Sequence, residues 1–600
     1  MKKEILFSDL AKQCAPYENI SDKRLKDKWY SCSYETKDFS GSMLVAFEEC
    51  NPNDVELNPK ISGWHKIYVG LYTHFTEQSE IDIKLTSDEA FMAVSPCLER
   101  GFGEHIVEDV FWKCAKMDGE SIVMGKHNSI GRTQNAMIAW IRFVPMSEEE
   151  TEKHLFEQNR TDTKRLYATD DMHNKLCFRD VSHISGWKTA VANVCNSDVE
   201  WLAVENLSLN DGEAGDGDIE AFCFRSAYER SYAQRAKTDF SYDTLKEVVD
   251  YGKRMKLKMC VSQRVAMWQM EFPESGIFFD KKFTLENPAL RCIDRDGDVT
   301  EYLSFMYPEV QNYIIDEFVR LAKTGCDALM PIFSRGWPFI LFEKPFCDKF
   351  FERYGEDARE LPLDDERIMK LKCEIMTDFM KKLKSAIKNA VPERKPELHA
   401  KVLFSLYDCR LVGLDVETWA KEGVCERIIS AERRIREVLI PEIMREENPG
   451  KIDLKKFSEY ASSGEHCHIE YHYDNIFAPM ADSKGIMRGP ESQAERVGEF
   501  AAIEQKYGLK TYIEIMPRTL APDKIKEKAL AIYNAGGNNI ALWDAETRTK
   551  RLAEWSMWRR LGHKDELSGF EAYDSSLMNK VRIIKLEGKN VRTYKPLWGG

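Results

Sequence analysis

From about residue 165 to about residue 560, short apolar runs alternate with longer amphipathic segments, and this alternation narrows the available folds more than any other feature. The runs fall at 166–170, 199–205, 257–264, 327–333, 400–406, 425–429, 509–516 and 539–543, with a further polar-faced run at 465–474. The clearest helical segment lies at about 365–390. There Ile368, Leu371, Ile375, Met376, Phe379, Leu383 and Ile387 recur at three- and four-residue steps, Asp364 or Asp365 can cap the start, and Pro392 stops it. Strand and helix alternating on this scale mark a parallel sheet, and about eight repeats predict an α/β fold, a closed (β/α)8 TIM barrel. Nine strand candidates compete for eight places, so 166–170, 425–429 or one of the later runs must lie outside the cylinder.

Before residue 150 the texture differs. Alternating runs at 63–72, 81–85, 110–114 and 136–143 are separated by turn residues such as Asn51-Pro52-Asn53-Asp54 and Asp118-Gly119, with no long amphipathic helix. This predicts a β-sandwich of jelly-roll type over 1–150, read as a brace for its neighbour because nothing in it marks a binding face. Met146 to Lys164 reads as a polar connector, 160–562 as the barrel, and 563–600 as a small C-terminal β appendage with an edge strand at 581–587. At 600 residues the chain exceeds one ordinary core, so more than one domain is expected.

The net charge of −14 sets the chain against a phosphate backbone, and no basic cluster offsets it, so nucleic acid is not an expected partner. No apolar run reaches the ~18–20 residues that span a bilayer. The first ten residues lack a continuous apolar stretch and a small-residue cleavage site, and the 16 cysteines include no CxxC pair. Reduced thiols and a cytoplasmic location are expected, and the oligomeric state, a homo-oligomer included, is open.

In a barrel of this kind chemistry gathers at the C-terminal ends of the strands. The run 465–474 places His466, His468, Glu470, His472 and Asp474 on one face at a strand's period of two. A solvated sheet face explains that pattern, but so does a wet cavity within a covered parallel sheet, where bare polar groups are expensive. Other polar groups at strand ends are Asp171, Glu205, Arg335 with Trp337, Tyr407 with Asp408, Glu514 with Arg518, and Trp543 with Asp544. In Thr511-Tyr-Ile-Glu-Ile-Met the β-branched residues share one face, which sends Tyr512 and Glu514 into the cylinder. A salt bridge to a buried lysine or arginine is the competing explanation of Glu514. Carboxylates among Trp and Tyr suit a sugar: aromatic faces stack on its C–H faces, and acids hold hydroxyls and move protons.

The segment Gly413-Leu-Asp-Val-Glu-Thr-Trp-Ala-Lys-Glu-Gly423 resembles the corresponding motif of the glycosyl-hydrolase-like group 10 relatives among the glycosyl hydrolase (β/α)8 barrels. Arg335-Gly-Trp-Pro-Phe-Ile-Leu-Phe-Glu343, Phe350-Phe-Glu-Arg-Tyr-Gly-Glu-Asp357, Pro517-Arg518, Ala531-Ile-Tyr-Asn-Ala-Gly536 and Trp543-Asp544 extend the likeness over roughly 165–560. The resemblance implies a barrel with an accessory β domain and action on carbohydrate. One departure stands out. Many related barrels carry Asp-Gly-x-x-x-Asp-x-x-Arg, whereas Asp327-Ala-Leu-Met-Pro-Ile-Phe-Ser-Arg335 has Ile332 in place of the second aspartate.

The leading expectation is a glycoside hydrolase working with two carboxyl groups, Glu470 and Glu514, with Glu205 and Asp408 as substitutes. Arg335, Trp337, Tyr407, His472, Arg518, Trp543, Asp544 and Asp171 would position a carbohydrate substrate, and no cofactor is expected. Two alternatives stand beside it. His466-x-His468 with Asp544 is reminiscent of amidohydrolase-type metal sites, although the middle strands offer only His399, near the wrong end. The other is a carbohydrate-binding protein without turnover, prompted by Ile332. Two further patterns need no chemistry. Asp294-Arg-Asp-Gly-Asp298 resembles part of a calcium loop, but its twelfth position is Phe305, so a hairpin turn at Asp296-Gly297 is expected. The acidic run 210–220 reads as a loop after the strand ending at Glu205, placed to act as a lid.

Overall fold

The computed structural model describes residues 3–73, 79–96, 105–127, 135–172, 175, 181, 183–206, 242–266, 283, 287–295, 297, 299–334, 338–431, 493–516, 522–543, 557–571 and 578–591. The chain divides into two compact units: 1–200 with 517–527 and 544–600, and 201–516 with 528–543.

The first unit holds two β-sheets. Each strand expected from alternation is present, as Trp64–Thr73, Ile81–Leu85, Ile106–Lys116 and Ala136–Pro145. The larger, nine-stranded sheet buries Tyr34, Val45, Tyr72, Val107, Trp140 and Ile583 against one another. Trp140 passes so close to Gly70 that a Cβ there would sit 2.5 Å from the indole. The C-terminal strand Met578–Leu586 corrects an expectation. It pairs with Ile106–Lys116 over one stretch and with Trp29–Thr36 over another, so it closes the larger sheet on itself rather than forming an edge. The connector holds an unforeseen helix, Glu148–Asn159. Ser147 and Glu150 cap it reciprocally, and three acids fill the first turn, where the helix dipole favours them.

The eight strands β1 (Leu166–Asp170), β2 (Val199–Glu205), β3 (Lys258–Arg264), β4 (Ala328–Ile332), β5 (Glu397–Val402), β6 (Arg427–Ser430), β7 (Lys510–Glu514) and β8 (Ile540–Trp543) form a closed barrel in chain order. Neighbours from β2 through β8 pair in parallel. The surplus candidate resolves itself. β6 pairs directly with β7, so the cylinder is complete without 465–474, a run that lies outside the described residues. The long helix is Glu366–Ala390, with Asp365 accepting from the Arg367 amide as its cap. A hairpin joins Arg291–Ile293 to Val299–Leu303 as expected, and Gly297 within it sits at φ +91°, a backbone state that favours glycine, while Asp296 lies outside the described residues. β5 starts three residues earlier than expected and ends at Val402, because Ser405 leaves the sheet to cap the helix Leu406–Leu411. Among the described residues no helix is long and apolar enough to cross a membrane.

The smaller, five-stranded sheet of the first unit carries an ionic clamp. His127 Nε2 lies 2.8 Å from Asp54 Oδ1, Nδ1 lies 3.5 Å from Asp82 Oδ2, and the His127 amide donates to Asp82 Oδ2 at 2.9 Å. Burial pulls the imidazole pKa down, but hydrogen bonds to Asp54 and Asp82, together with their charge, outweigh it and raise it from 6.5 to about 10. A raised folded-state pKa gives stability that is whole below the unfolded value and fades as pH climbs through the folded one. His127→Gln should therefore cost most below about pH 6.5 and least near pH 10, as read from urea midpoints of both proteins across that range. A gap that stays constant toward pH 10 rejects the clamp.

Candidate active site at the C-terminal rim of the barrel

Glu514 ends β7 and forms an ion pair with Lys401 near the end of β5. β6 runs between those strands, so the two side chains can meet only inside the cylinder. This is the inward orientation that alternation assigned to Glu514, and it is also the buried ion pair that competed to explain that residue. Lys401 and Glu514 are 1 % and 3 % exposed. The Lys401 ammonium also stands 3.5 Å from the ring centroid of Trp543 at the end of β8, a cation–π contact inside the low-dielectric lumen. Glu514 and Trp543 are thus brought together by a residue that sequence reading did not select.

Across the lumen, Glu205 at the end of β2 is ion-paired with Arg264 from the end of β3, Oε1 lying 2.7 Å from Nε. Strand register places Ile332 of β4 between Arg264 and Lys401 and on the same face. Glu205 and Glu514 thus stand at strand ends as buried carboxylates, each beside a cation of its own, and the aliphatic Ile332 lies between those two cations.

The remaining described candidates are Asp408, Tyr407 and Asp171. Asp408 Oδ2 accepts from Ser405 Oγ at 2.6 Å, and Ser405 Oγ accepts from the Asp408 amide at 3.1 Å, so the pair fastens the first turn of Leu406–Leu411. The Tyr407 hydroxyl lies 3.4 Å from Asp364 Oδ2. Asp171 follows β1, where the neighbouring Asp170 is ion-paired at 3.1 Å with the fully buried Lys175. Glu470, His472, Arg335, Trp337, Arg518 and Asp544 lie outside the described residues, as do His466 and His468 of the metal alternative. Among the described residues no group of three or more His, Cys, Asp or Glu is arranged to hold a metal ion.

The opposite end of the lumen is a different kind of layer. Trp201 of β2 packs edge-on against His399 of β5, with centroids 4.6 Å apart. Arg427 of β6 stacks on the same indole at 4.9 Å, bonds Glu397 at 2.8 Å, and donates to the Tyr512 hydroxyl at 3.2 Å. Burial depresses the His399 pKa. Burial pushes the other way on Glu397, but the hydrogen bonds and charge of His399 and Arg427 prevail and hold its carboxyl at about 2. His399 is therefore a packing residue at the N-terminal end, where conserved chemistry is not placed in this fold.

No family model matches the chain, and no curated protein matches it. Among solved structures it is similar to the PgaB (BpsB) glycoside hydrolase domain from Bordetella bronchiseptica, at 10 % identity over 64 % of this chain and 95 % of that one, with a TM-score of 0.37. It is similar to the catalytic domain of a beta-amylase from Paenibacillus polymyxa, at 10 % identity over 66 % and 98 %, TM-score 0.39. It is also similar to TtGalA, an alpha-galactosidase from Thermus thermophilus, at 10 % identity over 89 % and 94 %, TM-score 0.32.

A buried pair that loses one member leaves a naked charge, at a cost of about 3–5 kcal/mol. Lys401→Met should lower unfolding stability by about that amount, measured by urea denaturation at neutral pH. A loss below about 1 kcal/mol would show that water reaches Glu514 in solution.

Proposed function

We propose that the chain is a glycoside hydrolase whose site is the C-terminal rim of its barrel. The observation that carries this reading is Glu514, fixed in the lumen by Lys401 on the face of Trp543. A carboxylate beside a buried ammonium stays ionised, which suits a nucleophile or a stabiliser of developing oxocarbenium charge and disfavours a proton donor. Glu205, held by Arg264, has the same character. The general acid is then sought at Glu470, a candidate from the sequence alone, with Asp408 as substitute. Trp543 supplies a broad apolar face of the sort that packs on a pyranose. The two-sheet N-terminal region is read as a brace of sandwich type. Carboxyl separation would decide retention against inversion.

A second reading, carbohydrate binding without turnover, has its own observation: an aliphatic Ile332 at the rim, with Glu205 and Glu514 each already paired. A panel of aryl glycosides and oligosaccharides separates the two. With a substrate in hand, Glu514→Gln should cut kcat on the order of 10²–10⁴-fold with an unchanged circular dichroism spectrum. Retained turnover removes Glu514 from the chemistry, and saturable binding without any hydrolysis favours the second reading.

A further inference from the structure

On β3, Ser262 is fully buried and its hydroxyl has no hydrogen-bond partner among the described residues. Register gives its direction. Ser262 lies beside Glu205 of β2 and Met330 of β4, and two residues before Arg264, which meets Glu205. The intervening Gln263 points the other way, bonding Glu317 of the helix Pro308–Ala322. Ser262 therefore faces the lumen one pleat beneath the Glu205–Arg264 pair. Ser334, two residues past the end of β4, is a second buried hydroxyl without a partner among the described residues.

Buried polar side chains are partnered in the great majority of cases, and an exception calls for a cause. Packing offers none here, because alanine would fill a strand position beside Met330 and Ile332 without stranding a polar atom. We propose that Ser262 contacts the ligand directly: its hydroxyl hydrogen-bonds a hydroxyl of a neutral saccharide held in the barrel mouth, and Ser334 adds a second contact. The inference rests on the carbohydrate reading above and names a residue that determines how the sugar sits. The ligand class follows from the surroundings. Glu205 is neutralised by Arg264, and Glu514 by Lys401, so these pairs offer no net charge to an ionic ligand. A serine hydroxyl both donates and accepts, which matches a sugar hydroxyl.

The test uses Ser262→Ala, Ser334→Ala and the double variant of the full chain. Thermal unfolding without sugar comes first: removing a stranded hydroxyl leaves Tm equal or higher, whereas a lower Tm means the group is satisfied in the free protein and overturns the proposal. Calorimetric titration with methyl glycosides of glucose, galactose, mannose and xylose comes second. Ser262→Ala should weaken the sugar that the wild type binds by about tenfold, the order expected of one hydrogen bond, and the double variant should weaken it further. Equal affinity in wild type and variants overturns the contact while leaving the carbohydrate reading standing. Failure of the wild type to bind any of the four overturns that reading and the contact with it.

Discussion

The upper lumen is organised by one interaction, the ion pair that Lys401 and Glu514 make across β6. Two opposite charges withdrawn from water recover the loss only with good geometry and further partners. Here the Trp543 indole supplies one such partner to the ammonium. The same arrangement dictates which residues of β5, β7 and β8 face inward, because a pair spanning an intervening strand admits no other alternation. Glu205 and Arg264 repeat the device between neighbouring strands. The rim is thus built from charges that cancel locally, above a lower layer closed by Trp201, His399, Arg427 and Tyr512.

That division gives the two ends of the cylinder different duties. At the lower end the polar atoms of Glu397, His399, Arg427 and Tyr512 satisfy one another around an indole, the composition of a plug. At the upper end the carboxylates stand beside an aromatic face and above a buried hydroxyl that has no partner among the described residues. Polar groups placed where packing does not require them are the usual physical mark of a binding or reacting surface.

The sequence displayed the barrel because apolar runs and helical spacing alternate over a long stretch, and local period is what a strand or helix imposes on its residues. It displayed Glu514 as an inward carboxylate for the same reason. It could not display Lys401, whose partner lies 113 residues away and whose strand was read three residues late. The better signal was Glu397-Leu-His-Ala-Lys401, polar at every second position, which sets the register of β5. The surplus candidate at 465–474, outside the described residues, has a period of two, but period alone does not say whether a run joins the barrel. Pairings of distant segments were equally silent: the C-terminal strand completes the larger sheet through contacts with residues 29–36 and 106–116, and no local pattern announces that. The connector helix was legible in Ser147 and Glu150, a capping box hidden within a run of acids.

If the Lys401–Glu514 pair exists for chemistry rather than stability, replacing both members with apolar residues of similar size should spare the fold and remove the function. The decisive measurement is the Lys401→Met, Glu514→Leu double variant, followed by urea denaturation and by assay on a glycoside that the wild type accepts. Stability within about 1 kcal/mol of wild type, or above it, is expected, with binding and turnover lost. A double variant destabilised by several kcal/mol, or one that still processes the glycoside, would contradict that expectation.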